Sequence, residues 1–212
     1  MPSDAHFYEP RAGHRLAHDP LNSIVGPRPI GWISTVSAEG VFNLAPYSFF
    51  NLYHYRPPIV GFTSSGWKDS VQNASDTGEF CWNLATRPLA EAMNASSAMV
   101  AAGVDEFELA GLTPAASRIV AAAHVAESPV VFECRVTQVV RLTDAAGGEV
   151  ASWLTLGEAV GIHIEPALVA SGVYDTVAAR PIVRGGGPAD FFEITESARF
   201  RMTRPRNGPS DR

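Results

Sequence analysis

Short apolar runs separated by turns marked with glycine, serine and proline recur along the chain, the pattern of β-strands. Residues 30–36 predict a strand, and residues 41–50 its partner across a Ser37-Ala-Glu-Gly40 turn. Pro57-Pro58 precedes a short apolar strand at 59–63, and residues 80–84 form another. Two helices are expected. One spans 67–76 and is closed by Gly78; the other is capped by Thr86, with Pro88 in its first turn, and ends near Asn94. Residues 95–116 read as a connector, a lid or an inter-element loop with a charged turn at Asp105-Glu-Phe-Glu108. In 130–142 the even positions (Val130, Phe132, Cys134, Val136, Val140, Leu142) are apolar and Glu133, Arg135, Thr137 and Arg141 are polar, so one face should be buried. Gly147-Gly148 turns the chain into 150–164, where Leu154, Leu156, Val160, Ile162 and Ile164 share one face. Gly157, Ala159, Gly161 and His163 share the other, a face of small residues that something bulky could approach.

Several strands with few short helices argue for a mainly β fold (β-rich α+β), an antiparallel barrel or sandwich. There is no internal repeat or linker, so one domain over residues 1–212 is expected, with its core at about 20–200 and peripheral ends at 1–20 and 203–212. At 212 residues and 46% hydrophobic content the chain can bury a sizeable core. No apolar run reaches the roughly 18 residues of a membrane span. The opening Met1-Pro-Ser-Asp-Ala-His6 is not a secretory signal, which points to the cytoplasm and away from the membrane. The net charge of −6 argues against nucleic-acid binding; only the tail carrying Arg199, Arg201, Arg204, Arg206 and Arg212 is basic, and it reads as a frayed terminus. Cys81 and Cys134 sit in apolar strands and are expected as buried free thiols, and no Cys/His cluster suggests a metal.

Two stretches carry candidate chemistry. In Arg28 to Ser48, hydroxyls, an amide and the ladder-breaking Pro46 stand on adjacent strands, which suggests a sheet edge that holds a ligand. In Thr63-Ser-Ser-Gly-Trp-Lys-Asp-Ser70, hydroxyls and a glycine lead into a helix start, where free N–H groups favour an anion. Lys68 there opposes the helix dipole unless an anion joins them; ordinary capping by Ser64 or Ser65 with a solvated Lys68 is the alternative. Neither GxxxxGK[ST] nor GxGxxG occurs, and Gly185-Gly186-Gly187 reads as a turn. The GxSxG elbow of a serine hydrolase is also missing. His163 is either a group facing something bulky, a ligand or a partner subunit, or a histidine with a satisfied hydrogen bond; His6, His14, His18, His54 and His124 show no ligand spacing.

Taken in order, a set of motifs resembles the flavin reductase-like, FMN-binding split-barrel family. They are Arg28-Pro-Ile-Gly-Trp-Ile-Ser-Thr-Val36, Asn43-Leu-Ala-Pro-Tyr-Ser-Phe-Phe-Asn51, Pro57-Pro-Ile-Val-Gly-Phe62, Lys68-Asp-Ser70 and Thr77-Gly-Glu-Phe80, followed by Glu127-Ser-Pro-Val-Val-Phe-Glu-Cys134, Gly157-Glu-Ala-Val-Gly-Ile-His163 and Arg180-Pro-Ile-Val-Arg-Gly-Gly186. The resemblance covers about residues 20–205 and implies an antiparallel, Greek-key split β-barrel. It places Ser34, Thr35 and Val36 against the flavin, with Asn43, Ala45, Pro46, Tyr47 and Ser48 along the isoalloxazine and ribityl. Phe49, Phe50 and Asn51 would close the ring pocket, and Thr63, Ser64, Ser65, Lys68 and Ser70 would hold the phosphate. The family's Gly-Gly-x-x-Tyr pattern is altered: in Gly186-Gly-Pro-Ala-Asp-Phe191 the aromatic comes one residue later and is a phenylalanine, which keeps a ring and loses the hydroxyl.

The implied activity is transfer of a hydride from NAD(P)H to FMN, with FAD as the other flavin, in a homodimer that could serve a partner monooxygenase. His163, which would face a flavin edge, a nicotinamide or a partner subunit, is the one catalytic candidate. An FMN-carrying electron-transfer protein reduced by a partner, and a β-barrel binding module without flavin chemistry, are the alternatives.

Overall fold

The strand pattern assembles around one curved antiparallel sheet in the computed structural model, which describes residues 5–101 and 103–205. The first strands are β1 (Arg28–Pro29), β2 (Gly31–Val36), β3 (Phe42–Tyr47), β4 (Phe50–Tyr55), β5 (Pro58–Ser65) and β6 (Glu79–Asn83). After β7 (Pro114–Ala115) and β8 (His124–Val125) come the long β9 (Val130–Thr143) and β10 (Glu149–Ile164). The chain ends through β11 (Val169–Ala170), β12 (Val173–Tyr174), β13 (Ile182–Gly186) and β14 (Asp190–Glu193). Helices α1 (Leu21–Ile24), α2 (Asp69–Thr77), α3 (Ala90–Ala95) and α4 (Glu106–Leu109) are short. Residues 1–4, Ala102 of the connector, and the tail arginines Arg206 and Arg212 lie outside the described residues.

The main sheet has seven strands in the order β3-β2-β6-β9-β10-β5-β4. Its two outermost strands are consecutive in the chain, with only Ser48 and Phe49 between them. That short link obliges the sheet to curl, and Tyr47 of β3 packs against Phe62 of β5 with ring centroids 4.8 Å apart. Ile33, Tyr47, Phe62, Phe80, Cys134 and Ala159 fill the interior. All six residues of β2 are buried, because Trp32 packs outside the barrel against Leu44, Met93 and Phe107. That two-sided burial explains the near-continuous apolar run.

Several expectations need correction. The run 41–50 is not one strand: it bends at Ser48-Phe49, and β4 begins at Phe50. Helix α2 starts at Asp69 and stops at Gly78, whose φ of 73° is the left-handed region. Thr86 caps no helix. It bridges Pro181, while Arg87 N–H donates to the Arg180 carbonyl (2.8 Å), so α3 begins only at Ala90. The charged turn at 105–108 is helix α4, whose N-cap Asp105 accepts from the Phe107 N–H. Phe107 is in the core.

The faces of β9 and β10 also differ from the simple alternation. Thr137 is an extra residue opposite the Leu156/Gly157 step, a β-bulge. Beyond it the phase inverts, so Val139 packs inward and Val140 is exposed. On β10 the odd residues Thr155, Gly157 and Ala159 are the buried ones, while Ile162 and Ile164 are exposed. The bulky neighbour that Gly157 admits is the protein's own Phe80: a Cβ would lie 2.4 Å from its ring. Cys81 and Cys134 are free and buried, and burial pushes the Cys81 thiol up to about 12.

Candidate functional site

The outer edge of β3 forms the wall of a cavity of about 320 Å³. Pro46 offers no N–H there, as suits an edge strand. The outward Leu44 N–H is taken instead by Glu106 Oε2 of α4, at 3.0 Å. Asn43, Ala45, Pro46 and Tyr47 line one side of this cavity; Lys68, Asp69 and Ser70 from the start of α2 line another; residues 96–100 form the rim. The rim is pinned to the barrel by the buried Trp32 Nε1–H, which donates to Ser96 Oγ at 3.0 Å.

A buried polar network holds the wall in place. Asn43 Nδ2 donates to Ser70 Oγ (2.9 Å) and to Thr35 Oγ1 (3.3 Å), and Asn73 Nδ2 also donates to Thr35 Oγ1 (3.1 Å). The network ties β2, β3 and α2 together at the point where ligand-facing groups converge. Burial raises the Tyr47 hydroxyl above its usual range, opposed by hydrogen bonding with Ser70 and Ser64, while Asp69 and Glu106 add to the rise. Burial likewise raises the Glu106 carboxyl, against its backbone hydrogen bonds and with Asp69 and Asp105 reinforcing.

The α2 start is the cationic end of the cavity. Lys68 is its N-cap residue, extended and exposed, and makes no side-chain cap. Its carbonyl accepts from the N–H groups of Val71 and Gln72, both at 2.9 Å. The N–H groups ahead of them have no intrahelical partner and, with the Lys68 ammonium, suit an anion. Asp69 works against that charge, so backbone donors and the Ser70 hydroxyl must contribute. These donors, beside the flat wall of Ala45, Pro46 and Tyr47, suit a ring system that ends in a phosphate.

The other expected flavin residues are spread around this centre. Ser34 is in the core, where its Oγ accepts from Asn83 Nδ2 at 3.1 Å. Val36 packs with Cys81 and Val131, and Thr35 reaches the cavity only through Asn43. Ser48 lines an adjoining cavity of about 280 Å³ that shares Pro46 and Ser97 with the first. Phe49 is exposed beneath Arg28, with the guanidinium 5.3 Å from its ring centre, and Phe50 stacks on Trp82. Asn51 accepts from Leu52 N–H; Thr63 is half-buried, and its N–H donates to Phe49 O. Ser64 is buried with its Oγ donating to Gly66 O, while Ser65 is exposed.

His163 stands elsewhere. Its Nε2 is 2.5 Å from Oε1 of the fully buried Glu133, and its ring stacks on His124. A cavity of about 290 Å³ beside these two histidines contains none of the expected flavin residues. Glu106, Asp69, Ser96 and Ser97 line the main cavity without having been singled out from the sequence. The flagged connector was the signal for three of them, but which residues turn inward depends on Trp32 and Leu44, far away in the chain.

A curled antiparallel sheet whose edge strand and short helix start enclose a polar, anion-suited cavity defines a split-barrel ligand-binding protein. The flavin reductase like domain matches residues 26–180, and the chain belongs to that FMN-binding split-barrel family. A curated protein from Aquifex aeolicus, named only as an uncharacterized protein, is 37% identical over 172 residues, covering 77% of this chain and 83% of its own. Among solved structures, nitrilotriacetate monooxygenase component B from Bacillus cereus superposes with a TM-score of 0.79 at 27% identity, over 88% of this chain and 98% of that one. The Pseudomonas fluorescens 2-nitrobenzoate 2-nitroreductase NbaA gives 0.77 at 25% identity, over 90% and 91%.

Proposed function

We propose that this protein is a flavin reductase that binds FMN in the β3/α2 cavity and takes hydride from NAD(P)H. The observation that carries the reading is the convergence of Asn43, Ala45, Pro46 and Tyr47 with Lys68 and Ser70 at one cavity, in a chain of the flavin reductase-like family. When bound, FMN supplies the two-electron acceptor. The protein's part is orientation and charge. Lys68, the α2 N–H groups and Ser70 hold the phosphate. Pro46 and its neighbours present a flat wall, and Asn43, fixed by Thr35 and Ser70, orients the polar edge. No side chain in the cavity has to move a proton in the transfer, and His163, committed to Glu133, is assigned no catalytic part.

A homodimer fits the same reading. β4 ends the strand order with Leu52, Tyr53 and Tyr55 exposed, Tyr55 by 81%, an apolar edge that suits a second copy. The Bacillus cereus protein's name as a monooxygenase component B supports supply of reduced flavin to a partner oxygenase.

The test is FMN titration of wild type and Lys68→Ala by flavin fluorescence, then NADH and NADPH oxidation. Losing one charge-assisted phosphate contact should weaken FMN binding about tenfold or more. Unchanged affinity in the variant, or nicotinamide oxidation no faster than with free flavin, sinks the proposal.

A further inference from the structure

The adjoining cavity, between α3 and the β13–β14 hairpin, holds a cation that the flavin site does not use. Arg184 reaches into it beside Ser48, Asn94, Ser97 and Phe191. Its guanidinium is fixed on both sides. It lies 5.0 Å from the centre of the Phe191 ring, and its N–H groups donate to the carbonyls of Gly186, Gly187 (2.9 Å), Pro188 (3.3 Å) and Asp190 (2.7 Å). Arg28 lies near enough to feel this charge. Burial first, and then the Arg184 charge, lower its pKa. Arg28 is held in the same way, by the carbonyls of Asn22 (2.8 Å), Val25 and Ser48 (2.9 Å) and by Asn22 Oδ1 (3.4 Å).

Neutral carbonyls satisfy N–H groups without cancelling charge. Among the described residues neither guanidinium has an ion-pair partner, whereas Arg11, Arg141, Arg180 and Arg199 each have one. Arg184, immobilised on this wall and without a counter-charge among the described residues, favours an anion there, and the charge of Arg28, its register partner on β1, adds to the attraction. Because both side chains are already ordered, little rotamer entropy is lost on binding. The cavity opens in two directions. It shares Pro46 and Ser97 with the flavin cavity, and Met93, Asn94, Ala189 and Phe191 with a further cavity of about 560 Å³ whose charged lining is Arg87, Glu91 and Glu193. The three cavities adjoin through these shared residues, with a positive point in the middle one, the flavin wall on one side and room for an uncharged nucleoside on the other.

We propose that this cavity is the subsite for the pyrophosphate of the reducing dinucleotide, with Arg184, supported by Arg28, as the anion-binding group. The assignment of a dinucleotide rests on the flavin reductase reading; the anion subsite itself does not. Phe191 gains a role that needs no hydroxyl, since its ring face holds the guanidinium.

ADP, the diphosphate half of such a ligand without its nicotinamide, is the probe. It is titrated calorimetrically into FMN-loaded protein at low and high salt, with adenosine as the uncharged control. ADP should bind and adenosine should not, and the affinity should fall with salt. Arg184→Gln should weaken ADP about tenfold while FMN affinity, measured separately by fluorescence, holds. Because Arg184 also clamps its own hairpin, Asn94→Asp serves as a second variant: it adds a negative charge to the cavity wall and leaves the clamp intact. It too should weaken ADP severalfold. The proposal falls if ADP does not bind wild type, if both variants bind it unchanged, or if the variants lose FMN affinity in its place, which would make the bound anion the flavin phosphate. ADP binding to a protein that fails to take up FMN would keep the anion subsite and overturn the flavin reading alone.

Discussion

Replacing Glu133 by glutamine should destabilise the barrel by about 3 kcal/mol, and the loss should depend on pH. Glu133 is fully buried on β9. Oε1 accepts from the Arg118 N–H (2.9 Å) and from His163; Oε2 accepts from Ile119 (2.6 Å) and Val120 (3.1 Å). Burial alone would raise the carboxyl; these four donors outweigh it and hold its pKa at about 2 instead of 4.5. At about 1.36 kcal/mol per pH unit, that depression corresponds to roughly 3 kcal/mol. The contact geometry leads to a similar figure. A glutamine amide has one acceptor oxygen, so its NH₂ must face a pair of donors. Even with His163 turned to accept, the Arg118 N–H is orphaned, at about 1–3 kcal/mol, and the remaining bonds lose their charge assistance.

The assay is denaturant and thermal unfolding of wild type and Glu133→Gln in the same flavin-loading state, at neutral pH and stepwise into acid. A melting-temperature drop of roughly 6–12 °C is expected at neutral pH for a chain of this size. A depressed carboxyl stabilises fully above its unfolded value of 4.5, and the stabilisation disappears as pH falls toward about 2, so the gap between the two proteins should close over that range. A variant within about 1 kcal/mol of wild type, or a gap that stays constant down to about pH 3, refutes the reasoning.

Gly157→Ala should destabilise by about 1–3 kcal/mol in urea, because the new methyl would lie 2.4 Å from Phe80 Cε1 in a filled barrel; an unchanged midpoint would show that Phe80 can move away. Thr155→Val should raise the melting temperature. Among the described residues its buried Oγ1 has no hydrogen-bond partner, and removing an unpaired hydroxyl recovers about 1–3 kcal/mol; a lower melting temperature would mean that the hydroxyl is satisfied.

The class of fold and much of the cavity wall were legible in the sequence. Period-two alternation, glycine turns and the edge proline Pro46 are local signals, and the ordered motifs placed Asn43, Ala45, Pro46, Tyr47, Lys68 and Ser70, which all line one cavity. Which faces point inward depends on features that act across the sheet. One extra residue at Thr137 inverts the phase of β9, and a two-residue bend at Ser48-Phe49 makes two strands from one run. Inward and outward differ by a single step, so no local pattern survives such an insertion. The structure also decided the long-range pairs. Glu106 closes the β3 edge through Leu44, 62 residues away in sequence, and Glu133 claims His163 from 30 residues away. Those partners are chosen by unpaired N–H groups and burial that exist only once the barrel has curled, which is why His163 looked available for chemistry in the sequence and is occupied in the fold.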